Sequence, residues 1–157
     1  MTFHFAQAIR GMNATYELPV KTNLTPPDMV ADLKAFKKIL AEELDEIDEI
    51  IEDVEKSPTF FVDYFGTLAD IGDLLGDLQV YCASEMVKYN IPIDPTLEII
   101  MASNDSKLGA DGKPIKRADG KFLKGPNYWK PESKIKMMIL NHWAAASSAS
   151  TQEEPRP

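Results

Sequence analysis

A long helical stretch with one acidic residue in its apolar stripe is the feature that most constrains this chain. Between Met29 and Val54, apolar residues recur with alternating steps of four and three, which predicts a helix with one buried face. The stripe is Met29, Leu33, Phe36, Leu40, Ile47, Ile50 and Val54. Glu43 occupies its single gap. A charged carboxylate at a core position costs several kcal/mol unless something compensates it.

More carboxylates lie beside this position. Glu42 and Glu46 are on neighbouring positions of the same helix surface, so three like charges are crowded together. Such crowding is tolerated mainly when a divalent cation lies among the carboxylates. A ligand set made only of oxygen atoms suits magnesium, manganese or calcium better than zinc.

A second acidic set lies on the next predicted helix, which we expect to run from about Thr59 to Tyr89. Asp70, Asp73 and Asp77 are on one side of that helix, beside an apolar arc. The connection near Ser57 is short, which favours antiparallel neighbours. At about 1.5 Å per residue, the two acidic sets then lie at about the same height and can face each other.

The remaining pattern predicts an all-α fold, a bundle of four to five helices. Its second helix begins with Thr25 as N-cap and ends near Glu55, before Pro58. A short helix is predicted over about residues 2–13, with Phe3, Phe5, Ile9 and Met12 as its apolar side, and another helix from Asp94-Pro95 to near Asn104. A basic hairpin or loop follows, with turns at Asp111-Gly112 and Asp119-Gly120 and short strands at Ile115 and Phe122-Leu123. A last helix runs from Pro131-Glu132 through Trp143.

Small residues form a separate arc on the helix over 59–89, namely Ala69, Gly72, Gly76 and Ala83. Glycine inside a helix costs about 1 kcal/mol relative to alanine, so this arc predicts close approach of another backbone. We therefore expect a homodimer or a dimer of dimers.

Length and charge narrow the possibilities further. The 157 residues favour one domain over 1–145, followed by a disordered tail over 146–157. The net charge of -8 argues against binding to a nucleic acid polymer. Thirteen acids nevertheless lie between Glu42 and Asp77, and nine of the seventeen Lys and Arg lie between Lys107 and Lys136. This segregation suggests a metal and an anion as ligands.

Several other residues carry weaker signals. Cys82 is the single cysteine and lies in an apolar arc, so we expect it in the core. We expect a cytoplasmic protein for three reasons. The chain has a lone cysteine, no apolar run near the roughly 20 residues that span a bilayer, and no signal sequence. His4 and His142 are far apart and have no nucleophile beside them. Rings such as Tyr128 and Trp129 could stack on a base, although packing is their commoner use.

These motifs resemble a known group of enzymes. Glu42-Glu43-Leu44-Asp45-Glu46 and Asp70-Ile71-Gly72-Asp73 resemble the EExxE and ExxD motifs of the all-α nucleoside triphosphate pyrophosphohydrolases, the MazG and dimeric dUTPase superfamily. The run from Ser103 to Leu108 and the run from Asp119 to Tyr128 resemble the C-terminal signature of a MazG-like branch with folds of the phosphoribosyl-ATP pyrophosphohydrolase type. The chain departs from the pattern at Asp70, where the motif usually has Glu.

The resemblance implies a role for each matching residue. Glu42, Glu43, Glu46, Asp70 and Asp73 would bind Mg²⁺, with Mn²⁺ as a substitute. Glu43 or Glu46 would also orient or deprotonate the attacking water. The residues that would contact the substrate are Asn104, Lys107, Lys124 and Tyr128.

The function that follows is Mg²⁺-dependent hydrolysis of a nucleoside triphosphate to the monophosphate and pyrophosphate, for example as removal of dUTP or non-standard nucleotides. The alternative is a non-catalytic helical interaction protein whose acidic face is solvated, forms salt bridges with Lys34, Lys37 or Lys38, or binds a structural cation. Most acids of the first set, such as Asp45, Asp48 and Glu49, fit a solvated face.

Overall fold

The computed structural model describes residues 3–56 and 64–150, and it is all-α, as predicted. Five helices occur in these ranges, and apart from one isolated bridge they contain no β-structure. The helices are α1 (Phe5–Thr15), α2 (Pro26–Lys56), α3 (Tyr64–Lys88), α4 (Ile93–Asp105) and α5 (Glu132–Ser150).

The start of α2 follows from two side chains. The Thr25 hydroxyl donates to the Asp28 carboxylate at 2.6 Å, and the Asp28 backbone N–H donates back to the Thr25 hydroxyl at 3.4 Å. This reciprocal arrangement satisfies free N–H groups of the first turn and places a negative charge at the positive end of the helix. The bonded Thr25 groups hold the pKa of the Asp28 carboxyl below its usual value. The predicted N-cap is therefore confirmed.

The apolar stripe of α2 is covered only along its middle. Phe36, Leu40, Ile47 and Ile50 are half-buried. Met29, Leu33 and Val54 are exposed, Leu33 by 58%. Along the whole of α2, which lies within the described ranges, Glu43 is the one buried residue, with 6% of its surface exposed. The prediction that Glu43 occupies a core position is confirmed, whereas burial of the two ends of the stripe is wrong.

Helix α1 packs on α3 through its middle and its C-terminal end. Ala6 and Ile9 are buried, and the Asn13 side chain, 1% exposed, donates to the Ser84 carbonyl at 3.1 Å. The Ser84 hydroxyl donates back to the Asn13 side-chain oxygen at 2.7 Å. Because both groups are buried, this pair is costly to break and specifies how α1 lies on α3. The expectation for Phe3 is wrong, because Phe3 precedes the helix and is exposed.

Helix α3 packs against both α1 and α2. Its buried apolar residues are Leu74, Ala83 and Val87. Cys82 is exposed, so the prediction of a core cysteine is wrong. The neighbouring Ala83 and Ser84 are buried instead, which turns position 82 outward. The predicted start of this helix near Thr59 lies outside the described residues.

The second half of the chain contains α4, α5 and the predicted basic hairpin. The hairpin has one antiparallel bridge between Lys116 and Phe122, and both of its Asp-Gly turns have glycine with positive φ, 72° at Gly112 and 84° at Gly120. Such angles are readily adopted by glycine. The short strands expected at Ile115 and at 122–123 are reduced to that bridge, with Leu123 N–H bonded to the Ile115 carbonyl at 2.8 Å.

The start of α5 agrees with the prediction, but its end does not. The helix continues to Ser150, into the segment predicted to be a disordered tail from residue 146. Three successive alanines at 144–146 favour this continuation, because alanine has the highest helix propensity. Residues 151–157 lie outside the described residues.

The internal contacts divide the chain after Tyr89 into two compact units. The first contains α1, α2 and α3, and the second contains α4, the hairpin and α5. In the described ranges, none of the helices combines the length and the apolar character needed to cross a membrane.

Candidate functional site

The first unit contains a buried carboxylate with an unused oxygen atom. The Oε2 atom of Glu43 is buried and has no hydrogen-bond partner among the described residues. The Tyr81 hydroxyl, on α3, donates a hydrogen bond to the Glu43 carboxylate. A buried carboxylate with a free oxygen is costly, so a ligand that reaches it would be bound favourably.

The electrostatics of this site favour a cation or a proton. Burial raises the pKa of the Glu43 carboxyl above its usual 4.5, and the negative charges of Glu46 and Asp77 raise it further. The hydrogen bond from Tyr81 opposes the rise in part. The pKa of Tyr81 is itself raised by burial and by the charges of Glu43 and Asp77. These four side chains therefore share one negative environment, which we call the Glu43 cluster.

The remaining predicted metal ligands are on the surface. Glu42 is exposed and lies 3.6 Å from the exposed Lys38, a pair of the kind that contributes little to stability. Asp70 and Asp73 are exposed on α3. Among residues 3–56 and 64–150, no three acidic, His or Cys side chains are close enough together to hold a metal ion as they stand.

The two helices face each other about one turn away from the predicted alignment. The α3 carboxylate that acts on Glu43 is that of Asp77, four residues beyond Asp73. The sequence prediction measured both helices from a turn near Ser57, whereas Glu43 and Asp77 are equally distant in sequence from residue 60. Ser57 itself lies outside the described residues. The helical spacing of Asp73, Asp77 and Tyr81, each four residues apart, is the signal that could have identified this face.

A cavity of about 490 Å³ adjoins the Glu43 cluster, and every residue that lines it belongs to the first unit. Asp77 and Tyr81 belong to both the cluster and the cavity wall. The full lining is Met12, Tyr16, Leu18, Phe36, Ile39, Asp77, Val80, Tyr81, Ser84, Glu85 and Lys88. The volume is typical of small-molecule sites, which are mostly apolar with a few placed polar groups. The sequence prediction did not include this cavity, because residues from three separate segments form it.

In the second unit, the structure brings the four predicted substrate-binding residues onto one loop and helix end. The Lys107 ammonium donates to the Asn104 side-chain oxygen at 2.7 Å. The Lys124 ammonium lies 4.5 Å from the centre of the Tyr128 ring. A backbone hydrogen bond joins the two segments that carry these pairs: the Gly125 N–H donates to the Lys107 carbonyl at 2.8 Å.

Gly125 explains how closely the two segments approach. A Cβ atom at this position would lie 1.9 Å from the Leu108 carbonyl oxygen and 2.8 Å from the Lys107 carbonyl oxygen. Both neighbours are backbone atoms, so they cannot move aside as a flexible side chain could. Glycine at 125 is therefore required for this segment to approach the backbone of Lys107 and Leu108.

Trp129 is held through two hydrogen bonds to its backbone and a cation beside its ring. Its backbone carbonyl accepts from the Ser103 hydroxyl at 2.9 Å, and its N–H donates to the Ser106 hydroxyl at 3.2 Å. The Lys134 ammonium lies 3.5 Å from the ring centre. These contacts join the loop before α5 to the end of α4.

Comparison with known proteins gives a likeness at the level of the fold. No protein-family model and no curated protein matches the sequence. Among solved structures, the chain is similar to a crystal structure from Exiguobacterium sp. 255-15, described as a "putative NTP pyrophosphohydrolase". The TM-score is 0.53 at 23% sequence identity, over 92% of this chain and 84% of that one. At this identity, the likeness establishes the shared all-α fold.

Proposed function

We propose that this protein is a metal-dependent hydrolase that converts a nucleoside triphosphate to the monophosphate and pyrophosphate. The observation that carries the proposal is the buried, unpartnered Oε2 atom of Glu43, with the charges of Glu46 and Asp77 beside it. The sequence resemblance of the two acidic motifs and the description of the Exiguobacterium structure support the same reaction class. Fold likeness alone would not, since one fold hosts many functions.

The side-chain oxygens are of the type that a hard divalent cation prefers, although the carboxylates of the described residues do not converge on one point in this structure. Glu43 provides a buried oxygen without a partner, and Glu42, Glu46, Asp70 and Asp73 provide further carboxylates on the same two helices. We propose that these five residues hold Mg²⁺, with Mn²⁺ as a substitute. Bound there, the ion would neutralise phosphate oxygens and lower the pKa of a water molecule.

The chain's own groups supply the proton chemistry. The reaction adds water to one phosphorus of the bridging anhydride and breaks the bond from that phosphorus to the bridging oxygen, and the water proton must go to a base. We propose that Glu43 or Glu46 orients this water and accepts its proton.

The second unit supplies candidates for binding the triphosphate. We propose that Lys107 and Lys124 pair with phosphate oxygens, that the Asn104 side chain positions Lys107, and that Tyr128 positions Lys124. The hydrogen bond between Asn104 and Lys107 and the stacking of Lys124 on Tyr128 support these roles. Cations that hold the departing pyrophosphate stabilise the charge that develops on it.

Release of pyrophosphate from a panel of ribo- and deoxynucleoside triphosphates, with Mg²⁺ or with chelator, tests the proposal. Glu43→Gln and Asp73→Asn should each lower turnover by orders of magnitude, because each removes charge from the proposed metal site. Glu49→Gln, an exposed carboxylate of α2, is the matched control and should leave turnover unchanged. Equal turnover in Glu43→Gln and Glu49→Gln would remove Glu43 from the mechanism.

We also propose that the protein forms a homodimer or a dimer of dimers through α3. A Cβ atom added at Gly72 or Gly76 would meet nothing within 4 Å, so this part of the small-residue arc is open, whereas Ala83 is buried within the chain. Apolar residues on the same helix are exposed as well, Leu68 by 44% and Leu75 by 53%. Apolar surface of this kind around a small-residue arc is suited to burial against a second copy.

A further inference from the structure

Two hydrogen-bond acceptors line the cavity beside the Glu43 cluster. Asp77, at its mouth, has no hydrogen-bond or ion-pair partner among the described residues, so its carboxylate is free to accept. The Ser84 hydroxyl donates its proton to Asn13, which leaves it only lone pairs to offer. Asp77 and Ser84 therefore both offer acceptors to the cavity.

Two donors of the cavity wall already have partners. The Lys88 ammonium forms an ion pair with Glu85, and both side chains are mostly buried, at 22% and 12% exposure. The Tyr81 hydroxyl donates to the Glu43 carboxylate. The part of a ligand that faces Asp77 must be a donor, because an acceptor there would be repelled and would lose its hydrogen bonds to water.

The rest of the wall suits a flat ring. Phe36, Ile39 and Val80 are half-buried apolar residues, and Tyr16 presents a largely exposed ring at the rim. A volume of about 490 Å³ accommodates a nucleoside-sized group. Because Asp77 and Tyr81 also belong to the Glu43 cluster, a group in the cavity lies next to Glu43, which we propose as a metal ligand.

We infer that this cavity binds the base of the substrate and selects cytosine and adenine, which carry an exocyclic amino group where uracil and thymine carry a carbonyl oxygen. The inference rests on the proposed function for the identity of the ligand. The amino group would donate to the Asp77 carboxylate, whereas uracil and thymine present a carbonyl oxygen at the corresponding position. A hydrogen bond to a charged group changes affinity by about tenfold or more, and a mismatched pair loses it.

Nucleotide pairs that differ only in this group give the first test. dCTP and dUTP share sugar and phosphates, as do dATP and dITP, in which a carbonyl replaces the amino group. We expect kcat/KM to favour the amino-bearing member of both pairs by about tenfold or more. Equal values, or a preference for dUTP and dITP, would overturn the inference.

Binding of nucleosides without phosphates or metal separates the inference from the proposed hydrolysis. In NMR titrations with methyl-labelled protein, cytidine should shift the signals of Leu18, Ile39 and Val80, and uridine should bind at least several-fold more weakly. Val80→Phe fills the cavity and should abolish these shifts, whereas Val30→Phe, at an exposed position of α2 outside the cavity, should preserve them. If Val80→Phe does not fold, Ile39→Phe serves the same purpose.

Asp77→Asn tests the selecting group itself. An amide can both donate and accept, so the preference for cytidine over uridine should fall toward one while the shifted methyl signals stay the same. Cytidine that binds in the cavity of a protein without pyrophosphohydrolase activity would support the inference and refute the proposed function. If the protein hydrolyses nucleoside triphosphates but cytidine shifts methyl signals outside the cavity, the inference is refuted and the proposed function is not. The same holds if Asp77→Asn keeps the wild-type preference for cytidine over uridine.

Discussion

Replacement of Glu43 by glutamine should stabilise the protein when no metal is present. Glutamine keeps the shape of glutamate but has no charge, so the burial cost and the repulsion from Glu46 and Asp77 disappear. Glutamine leaves an atom at the same place without a partner, so only the cost of the buried charge is recovered, and we expect a gain of about 1 kcal/mol. That gain corresponds to roughly 2–4 °C in melting temperature for a chain of this size.

The pH dependence gives the same prediction a second readout. The folded pKa of Glu43 is raised above its usual 4.5, so the folded state binds this proton more tightly than the unfolded state does. The resulting stability is fully present below pH 4.5 and is lost as pH rises through the raised folded pKa. The free energy of unfolding of Glu43→Gln relative to wild type should therefore rise between pH 4.5 and the raised folded pKa, and stay constant above it.

Thermal denaturation with chelator and with Mg²⁺ measures both effects. A cation that binds only the native state adds about 2.7 kcal/mol at a hundredfold excess over its dissociation constant, and Glu43→Gln should gain much less than wild type. Glu49→Gln is the control, because Glu49 is exposed on the same helix. A lower melting temperature for Glu43→Gln in chelator, with no effect of Mg²⁺ on wild type, would refute the reasoning and favour a structural role for the acids.

Three further substitutions test the fold and assembly. Gly76→Leu should convert the proposed dimer to monomer in native mass spectrometry, because the arc around Gly76 is open in one copy; a wild-type protein that is already monomeric at micromolar concentration would contradict this. Gly125→Ala should lower stability by about 1–3 kcal/mol and raise the KM for triphosphate, because its Cβ would lie 1.9 Å from a backbone carbonyl oxygen. Gly112→Ala, at a position with open space and positive φ, is the control for loop strain. Equal KM values for the two variants would count against the role of the Gly125 contact. Thr25→Ala should lower the melting temperature at pH 7, because it removes the hydrogen bond that depresses the pKa of Asp28. That stabilisation is lost as pH falls through the depressed pKa of the folded state, so the difference in melting temperature from wild type should narrow in acid. A difference that stays constant with pH would refute the linkage.

Local chemistry along the chain was enough to predict the helices. Thr25 and Pro26 start α2 because a hydroxyl can cap free N–H groups and proline needs no donor in the first turn. The Asp-Gly pairs at 111–112 and 119–120 form turns because glycine tolerates positive φ. The core position of Glu43 followed from the 3.6-residue period alone. Each of these depends on residues within a few positions of one another.

The arrangement of the site depended on contacts between distant segments. Which carboxylate of α3 faces Glu43 is decided by how the two helices are aligned, and a shift of one turn replaces Asp73 by Asp77. The pair between Asn13 and Ser84 joins residues 71 positions apart and buries Ser84, so that Cys82 is exposed. The cavity likewise combines residues from three segments. Periodicity determines which face of a helix is apolar, but only packing against a partner decides which part of that face is covered, because burial depends on the atoms opposite and not on the sequence beside it.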